Sequence, residues 1–552
     1  MICTDKKTGF SCFLKQGDIS QQSGYSTVKA AIRQVLQPVI LLKNVEGEIF
    51  AAQCGMPVAG EELGQYSKEY SFCAYVPPLH PENFGDLSFK KAYNLKYAYI
   101  MGAMANGITS VEMVENAARA GMLGIFGSGG LDLDSVEDAV IRLKKSLKTL
   151  PFGFNLVHSP NNPELESKIV NLYLKHEVRL ISASAYMGLS LPLVRFRVSG
   201  IYKDSSGKII APNRIIAKVS RVEVAKKFLS PPPEKLLAQL VHNNMITRQE
   251  ALLALSVPMA EDLTAEADSG GHTDNRAAIS LLPTMFALRD EMVEKFKYSM
   301  PICVGLGGGI ATPHSTAAAF AMGAAYVLAG SINQSCVEAG TSEIVRQMLS
   351  ETRQADVAMA PAADMFEMGV KVQVLKRGTM FSMRSSKLYE LYSQYDCFEN
   401  IPLNQKKILE RDFFRRSFEE EWHETKNYFL MHDSKIVDRA KRDDKYKMAL
   451  VFRAYLWRSS QWATTGDLSR RIDYQIWCGP SMGAFNEWVK GTFLERYENR
   501  NVVVVAMNLL AGASVVTRAN CMKNQGVFFP GDMGKFVPVR LDEINKLLDL
   551  YS

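Results

Sequence analysis

Between Tyr97 and Ser331 the chain alternates short apolar runs with longer stretches whose apolar residues recur every three or four positions. The runs read YAYIMGAMA, MLGIFGSG, PFGFNLV, RLISASA, NRIIAKVS, AEDLTAEAD, PICVGLGGG and AAYVLAGS. Between most of them lie stretches with helical periodicity, such as SVEMVENAARAG, SVEDAVIRLKKSL and PELESKIVNLYLKHE. Strand–helix alternation of this kind builds parallel sheet. Eight such strands predict an α/β fold of the TIM (β/α)8 barrel type, with a doubly wound open sheet as the competing arrangement.

Two segments break the rhythm. After the fifth run comes LSPPPEKLLAQLVHNNMITRQEALLAL, where three prolines stop one helix and two further helical stretches follow. This predicts a helical insertion at about 230–258, placed over the barrel mouth. Before Tyr97, PVILLKNVEGEIFAAQ reads as a hairpin turning near Glu46 and Gly47. The domain reading is therefore a small N-terminal subdomain over 1–95, a barrel over 96–400 and a mainly helical C-terminal region over 401–552. In that last region FFRRSFEEEWHETKNYFL and KYKMALVFRAYLWRSSQWA carry aromatics at helical spacing, which reads as core or interface packing. VVVVAMNLLAGASVV reads as a buried helix or strand, too short to span a bilayer.

Composition narrows the class. The chain has 552 residues, 47% hydrophobic and 22% charged, which suits a globular protein of more than one domain. Its 64 basic and 58 acidic residues give a net charge of +6 with no basic run, so no nucleic-acid footprint is expected. Nine cysteines at irregular spacing, without C-x-x-C, argue against a disulfide framework or a metal site and for a reducing cytoplasm. The stretch MICTDKKTGFSC lacks the apolar core of a signal peptide, and no membrane segment is expected.

In a TIM barrel, chemistry gathers at the C-terminal ends of the strands. Two glycine-containing turns follow the seventh and eighth runs. The first holds Gly308 and Gly309 and leads to Pro313, which suits the first turn of a helix; the second holds Gly330 and Ser331. Glycine lets backbone N–H groups approach an anion, so the pair predicts a phosphate site, the alternative being two tight turns. Directly after the sixth run, DSGGHTDNR brings Gly270, Gly271 and His272 together with two carboxylates, an amide and a guanidinium. His272 is positioned there to donate a proton or hydrogen bond to a conjugated thioester, unless the loop is a cap and the imidazole structural. Lys218 near the end of the fifth run points into the mouth or lies exposed at a strand end. Asn106 after the first run reaches a ring edge or caps the helix at Ser110.

These motifs carry a resemblance. The barrel is similar to the nitronate monooxygenase and flavin enoyl-reductase superfamily, whose members share a Gly-Gly-His turn and matching glycine loops. More narrowly, AMANGITS, EADSGGHTDNR, GGGIATP and YQIWCGPSMGAFNEWV resemble the PfaD-type family over nearly the whole chain. Those proteins are trans-acting enoyl reductases of polyunsaturated fatty-acid and polyketide synthases. The resemblance implies FMN held by its phosphate at Gly308, Gly309, Gly330 and Ser331. Its ring would lie near Ala103, Met104 and Asn106, with Lys218 beside it, and Gly270 and Gly271 would carry the catalytic His272. NADPH or NADH would reduce the FMN. The partner would be an acyl carrier protein, docking on Lys and Arg of residues 403–460, with the insertion and the C-terminal helices as lid. A homodimer, a freestanding chain and a cytoplasmic location complete the expectation. A nitronate monooxygenase-type oxidase and a non-catalytic scaffold are the competing functions.

Overall fold

The fold is described from a computed structural model. It covers residues 22–52, 70–159, 163–432 and 434–548, position 20, and the short strands Ile2–Thr4, Phe10–Phe13 and Pro57–Ala59. Half of MICTDKKTGFSC, the stretch read for a leader, lies outside these residues.

All eight apolar runs are strands, namely β1 (Tyr99–Met101), β2 (Leu123–Phe126), β3 (Phe152–Val157), β4 (Leu180–Ser184), β5 (Arg214–Val219), β6 (Asp262–Glu266), β7 (Cys303–Gly307) and β8 (Val327–Ala329). Each pairs in parallel with its sequence neighbours, and β8 closes on β1. Helices cover the outer face and side chains fill the interior, so β1, β2 and β7 are buried throughout and read as unbroken apolar runs. Helix α1 (Leu87–Tyr93), capped by Asp86, plugs the N-terminal end of the barrel. Its Phe89 stacks on Tyr326 at 4.2 Å, and its Tyr93 donates to the buried carboxylate of Asp262.

Burial pushes the Asp262 carboxyl up to about 7, against the hydrogen bond from Tyr93. An acid whose pKa rises on folding binds more protons folded than unfolded between its ordinary value of 3.8 and about 7. Stability contributed by this group therefore falls as pH rises through that window. Asp262→Asn is expected to raise Tm by several degrees at pH 8 and to leave it nearly unchanged at pH 4, read by calorimetry.

The insertion is not over the mouth. Helix α2 (Pro163–Lys175) follows β3, and α3 (Leu191–Val198) follows β4. The helices Glu234–His242 and Arg248–Ala254 pack against α3. The Glu250 carboxylate accepts from the Gly200 amide at 2.6 Å, and Leu253 and Val257 share an apolar cluster with Ile201, Ile209 and Ala211, which lead into β5. The insertion thus belongs to the closed end of the barrel. Its apolar faces match the outer wall, a preference the sequence pattern does not encode.

Helix α4 (Pro313–Ala321) follows β7, with Thr312 and Ser315 forming a capping box and Pro313 in the first turn. Beyond Ser331 the pattern is not wholly helical. β9 (Val357–Pro361) and β10 (Lys371–Leu375) form an antiparallel sheet with the two-residue strand Gly271–His272. Helices α5 (Phe381–Gln394), α6 (Phe418–His432) and α7 (Asp444–Thr465) gather around this sheet on a second core that includes Phe366, Val374, Leu388, Phe414 and Phe452. This sheet and these helices roof the mouth. Helix α8 (Ser481–Val489) precedes α9 (Val502–Asn524), which packs on α4. By length and hydropathy α9 is apolar enough to cross a membrane, contrary to the sequence expectation, but 83% of its apolar window is buried inside the protein. It is a core helix, and its Arg518 donates to the carbonyls of Val35 and Pro77 near the N-terminal hairpin, whose strands Val39–Asn44 and Ile49–Ala52 pair as expected.

Candidate active site

A cavity of about 730 Å³ lies between the C-terminal ends of the strands and the roof. Ala103, Met104, Asn106, Lys218, Gly270, Gly271, His272, Gly308, Gly309, Gly330 and Ser331 all line it. Residues drawn from five strand ends thus converge on one space.

The loop after β1 is pinned by Thr109, whose hydroxyl donates to the Gly102 carbonyl and accepts from the Met104 amide. Asn106 sits at φ +59, and its amide N–H donates to the Gly129 carbonyl. Its side chain caps no helix; Ser110 does that itself, and the Asn106 carboxamide donates to Ser460 of α7 at 3.2 Å. Asn106 thereby ties the barrel to its roof.

Gly308 and Gly309 adopt φ of +87 and +77, the left-handed region that favours glycine. A Cβ on Gly308 would lie 2.8 Å from backbone atoms of Ala267 and Asp268. At Gly309 and Gly330 a Cβ would meet nothing within 4 Å. The two loops present bare backbone to an open space, which suits an anion. The Ser331 hydroxyl accepts from the Gly479 amide.

The loop between β6 and His272 sorts its polar groups. Asp274 is tied to Arg221 by two bonds of 2.7 and 2.9 Å and to the Ser220 hydroxyl, and the Arg221 guanidinium holds its carboxyl down at about 2. Asp268 accepts from Asn275 at 2.9 Å and from Gln373 of β10 at 2.8 Å. These groups shape the loop, and His272 is left facing the cavity. Its Nε2 lies 2.9 Å from an Asp364 carboxylate oxygen in the turn between β9 and β10. Burial pulls the imidazole down, but the Asp364 hydrogen bond and charge outweigh it and hold His272 above the ordinary histidine value. Asp364 is held below the usual carboxylate range by the same contact.

Sequence reasoning missed two carboxylates here. Asp364 is 92 positions from His272, in a strand pair the pattern does not disclose. Glu266 pairs with Lys218 at 2.8 Å, the two side chains coming from the ends of neighbouring strands. Its position at the end of an apolar run was the available signal.

The tail signature also acquires a reason. Leu375 donates its amide to the Ile476 carbonyl, and the Cys478 amide reaches the Gln373 carbonyl, so this segment runs along β10. A Cβ on Gly270 would lie 2.9 Å from the Cys478 and Gly479 backbone, and one on Gly479 would lie 2.8 Å from the Gly270 nitrogen. The Gly-Gly-His turn and WCGPS meet backbone to backbone, which requires glycine on both sides.

Comparison with known proteins matches the nitronate monooxygenase family to residues 88–390, the barrel and its β9–β10 sheet. The chain belongs to this family. A second match, to the inserted helical domain of [acyl-carrier-protein] S-malonyltransferase, covers residues 395–474, which include the roof helices α6 and α7. The enoyl reductase domain of MlnA from the macrolactin cluster of Bacillus amyloliquefaciens is 42% identical, with TM-score 0.75, covering 80% of this chain and 99% of that one. Polyketide biosynthesis protein PksE of Bacillus subtilis is 46% identical over 436 residues, 79% of this chain and 56% of that protein. A polyunsaturated fatty acid synthase component of Thraustochytrium sp. is 44% identical over 81% of this chain and 30% of its own length. The chain therefore spans about half or less of these two relatives. Family and fold together make it a TIM-barrel protein of the nitronate monooxygenase family. Among the described residues there is no cluster able to hold a metal ion.

Proposed function

We propose that the chain is an FMN-dependent enoyl reductase that draws electrons from NADPH or NADH and saturates the 2,3 double bond of enoyl thioesters on an acyl carrier protein. Its setting would be cytoplasmic polyketide or polyunsaturated fatty-acid assembly. One observation carries the reading: His272, held toward its charged form by Asp364, faces the same cavity as two bare glycine loops.

The residues fit an FMN. Gly308, Gly309, Gly330 and Ser331 offer backbone to its phosphate, and Ala103, Met104 and Asn106 would flank the ring. Lys218, balanced by Glu266, supplies a positive charge beside it. Bound and reduced, the flavin supplies the hydride. As imidazolium, His272 has two donors; Nε2 is engaged by Asp364, so Nδ1 serves the substrate. There it stabilises charge on the thioester oxygen and delivers the proton that completes addition across the double bond.

The roof gives the carrier protein a surface. Lys435, Lys441 and Arg442 are exposed on the segment joining α6 to α7, whereas Arg416, Arg453 and Arg458 turn inward onto glutamates. An acidic carrier would be steered by the exposed set. Changing those three to glutamate should lower kcat/KM about tenfold on a carrier-bound enoyl substrate, most strongly at low salt, and leave the small pantetheine thioester unaffected. Equal loss on both substrates would remove the docking assignment. Turnover of neither by the unmodified protein would remove the reductase.

A further inference from the structure

The cavity does not end at the barrel mouth. It continues as an arm between α2 and the roof helices α6 and α7, lined by Leu165, Ile169, Phe429, Leu450, Tyr428 and Trp457. Tyr428 and Trp457 are each 46% exposed, with rings 6.2 Å apart, and mark the solvent end. The charged side chains along the arm are engaged with one another. Arg458 pairs with Glu421 and Glu424, and Arg453 pairs with Glu367 and donates to the Ala363 carbonyl. What the arm offers a ligand is mainly apolar surface, which gains from hydrocarbon; beside it the Arg458 Nε and the Thr425 hydroxyl are buried polar atoms that make no hydrogen bond within the protein. The α6 and α7 side of the arm lies within residues 395–474, outside the segment matched to the nitronate monooxygenase family.

We propose that this arm binds the hydrocarbon chain of the thioester substrate, and that Ile169, Leu165 and Phe429 set the length accepted. The assignment rests on the enoyl reductase reading for the identity of the thioester. It makes the enzyme selective for long acyl chains, with the reacting carbons under His272 and the tail between α2 and α6.

The test is binding without turnover. Saturated S-acyl-pantetheines of four, eight and twelve carbons are titrated calorimetrically into the full chain. Affinity should rise roughly three- to fourfold per added methylene until the arm is full. Ile169→Trp, which shortens the arm, should remove the gain for twelve carbons and leave the four-carbon ligand bound as before. Affinity independent of acyl length would overturn the proposal. So would a gain that follows apolar length on the thiol side instead, or an Ile169→Trp variant that weakens all three ligands equally. These ligands carry no double bond. Length-dependent binding by a protein that reduces no enoyl thioester would therefore support the arm and overturn only the reductase.

Discussion

Replacing His272 with alanine should lower kcat on an enoyl thioester by about a hundredfold to ten-thousandfold, the range set by a positioned proton donor. KM should change far less, because the imidazole is one contact among many in the cavity. The effect has a pH signature. The reactive form is the imidazolium, and Asp364 holds its pKa above the ordinary value. Activity should therefore fall as pH rises through that raised pKa, above the point where an ordinary histidine would lose its proton. Asp364→Asn keeps a hydrogen-bonding side chain but loses the charge, so the falling limb should move to lower pH. A pH–rate profile of the two variants separates this account from a structural His272, whose loss would leave the shape of the profile unchanged.

Gly308→Ala and Gly309→Ala should each cost at least tenfold in FMN affinity, for different reasons. Both positions sit at positive φ, so both variants carry backbone strain of about 1–3 kcal/mol. The new methyl at Gly308 meets Ala267 and Asp268 backbone at 2.8 Å, and those atoms cannot move without dragging the end of β6 and the start of the Gly-Gly-His turn. At Gly309 it meets no protein atom and projects into the open space that the loop offers the phosphate. Flavin content after purification, and the Kd for added FMN by fluorescence quenching, read the loss. Melting of the flavin-free protein separates the causes, because Gly308→Ala should lower Tm more than Gly309→Ala. Unchanged FMN affinity in Gly309→Ala would mean that the loop does not bear on the phosphate.

The barrel was legible because its strands are buried on both sides. Runs such as PICVGLGGG leave no alternation to confuse with a half-exposed strand, and all eight runs are strands. The lining of the cavity was legible where residues follow strand ends, as at Lys218, His272 and Gly308. What stayed hidden is whatever depends on which groups satisfy each other. The DSGGHTDNR loop looks in sequence like a dense catalytic cluster, but Asp274 is spent on Arg221 and Asp268 on Asn275 and Gln373. No local pattern distinguishes a spent carboxylate from a waiting one. The partner of His272 is invisible in sequence for a related reason: Asp364 reaches it from the turn of a distant strand pair, whose β10 lies against Gly271 and His272. The insertion after β5 lies away from the mouth because amphipathic helices state that they need a partner surface and not which end of the barrel provides it.

An anaerobic half-reaction tests the central claim most directly. The purified protein, loaded with FMN where needed, is reduced with NADPH and then mixed with an enoyl thioester while its visible spectrum is followed. The account predicts a flavin band that bleaches with NADPH and returns on addition of the thioester, with one saturated thioester formed per flavin. A band that bleaches but ignores the thioester, and returns only with oxygen and a nitronate, would contradict it in favour of a monooxygenase. A protein that binds no FMN at all would contradict it in favour of a scaffold.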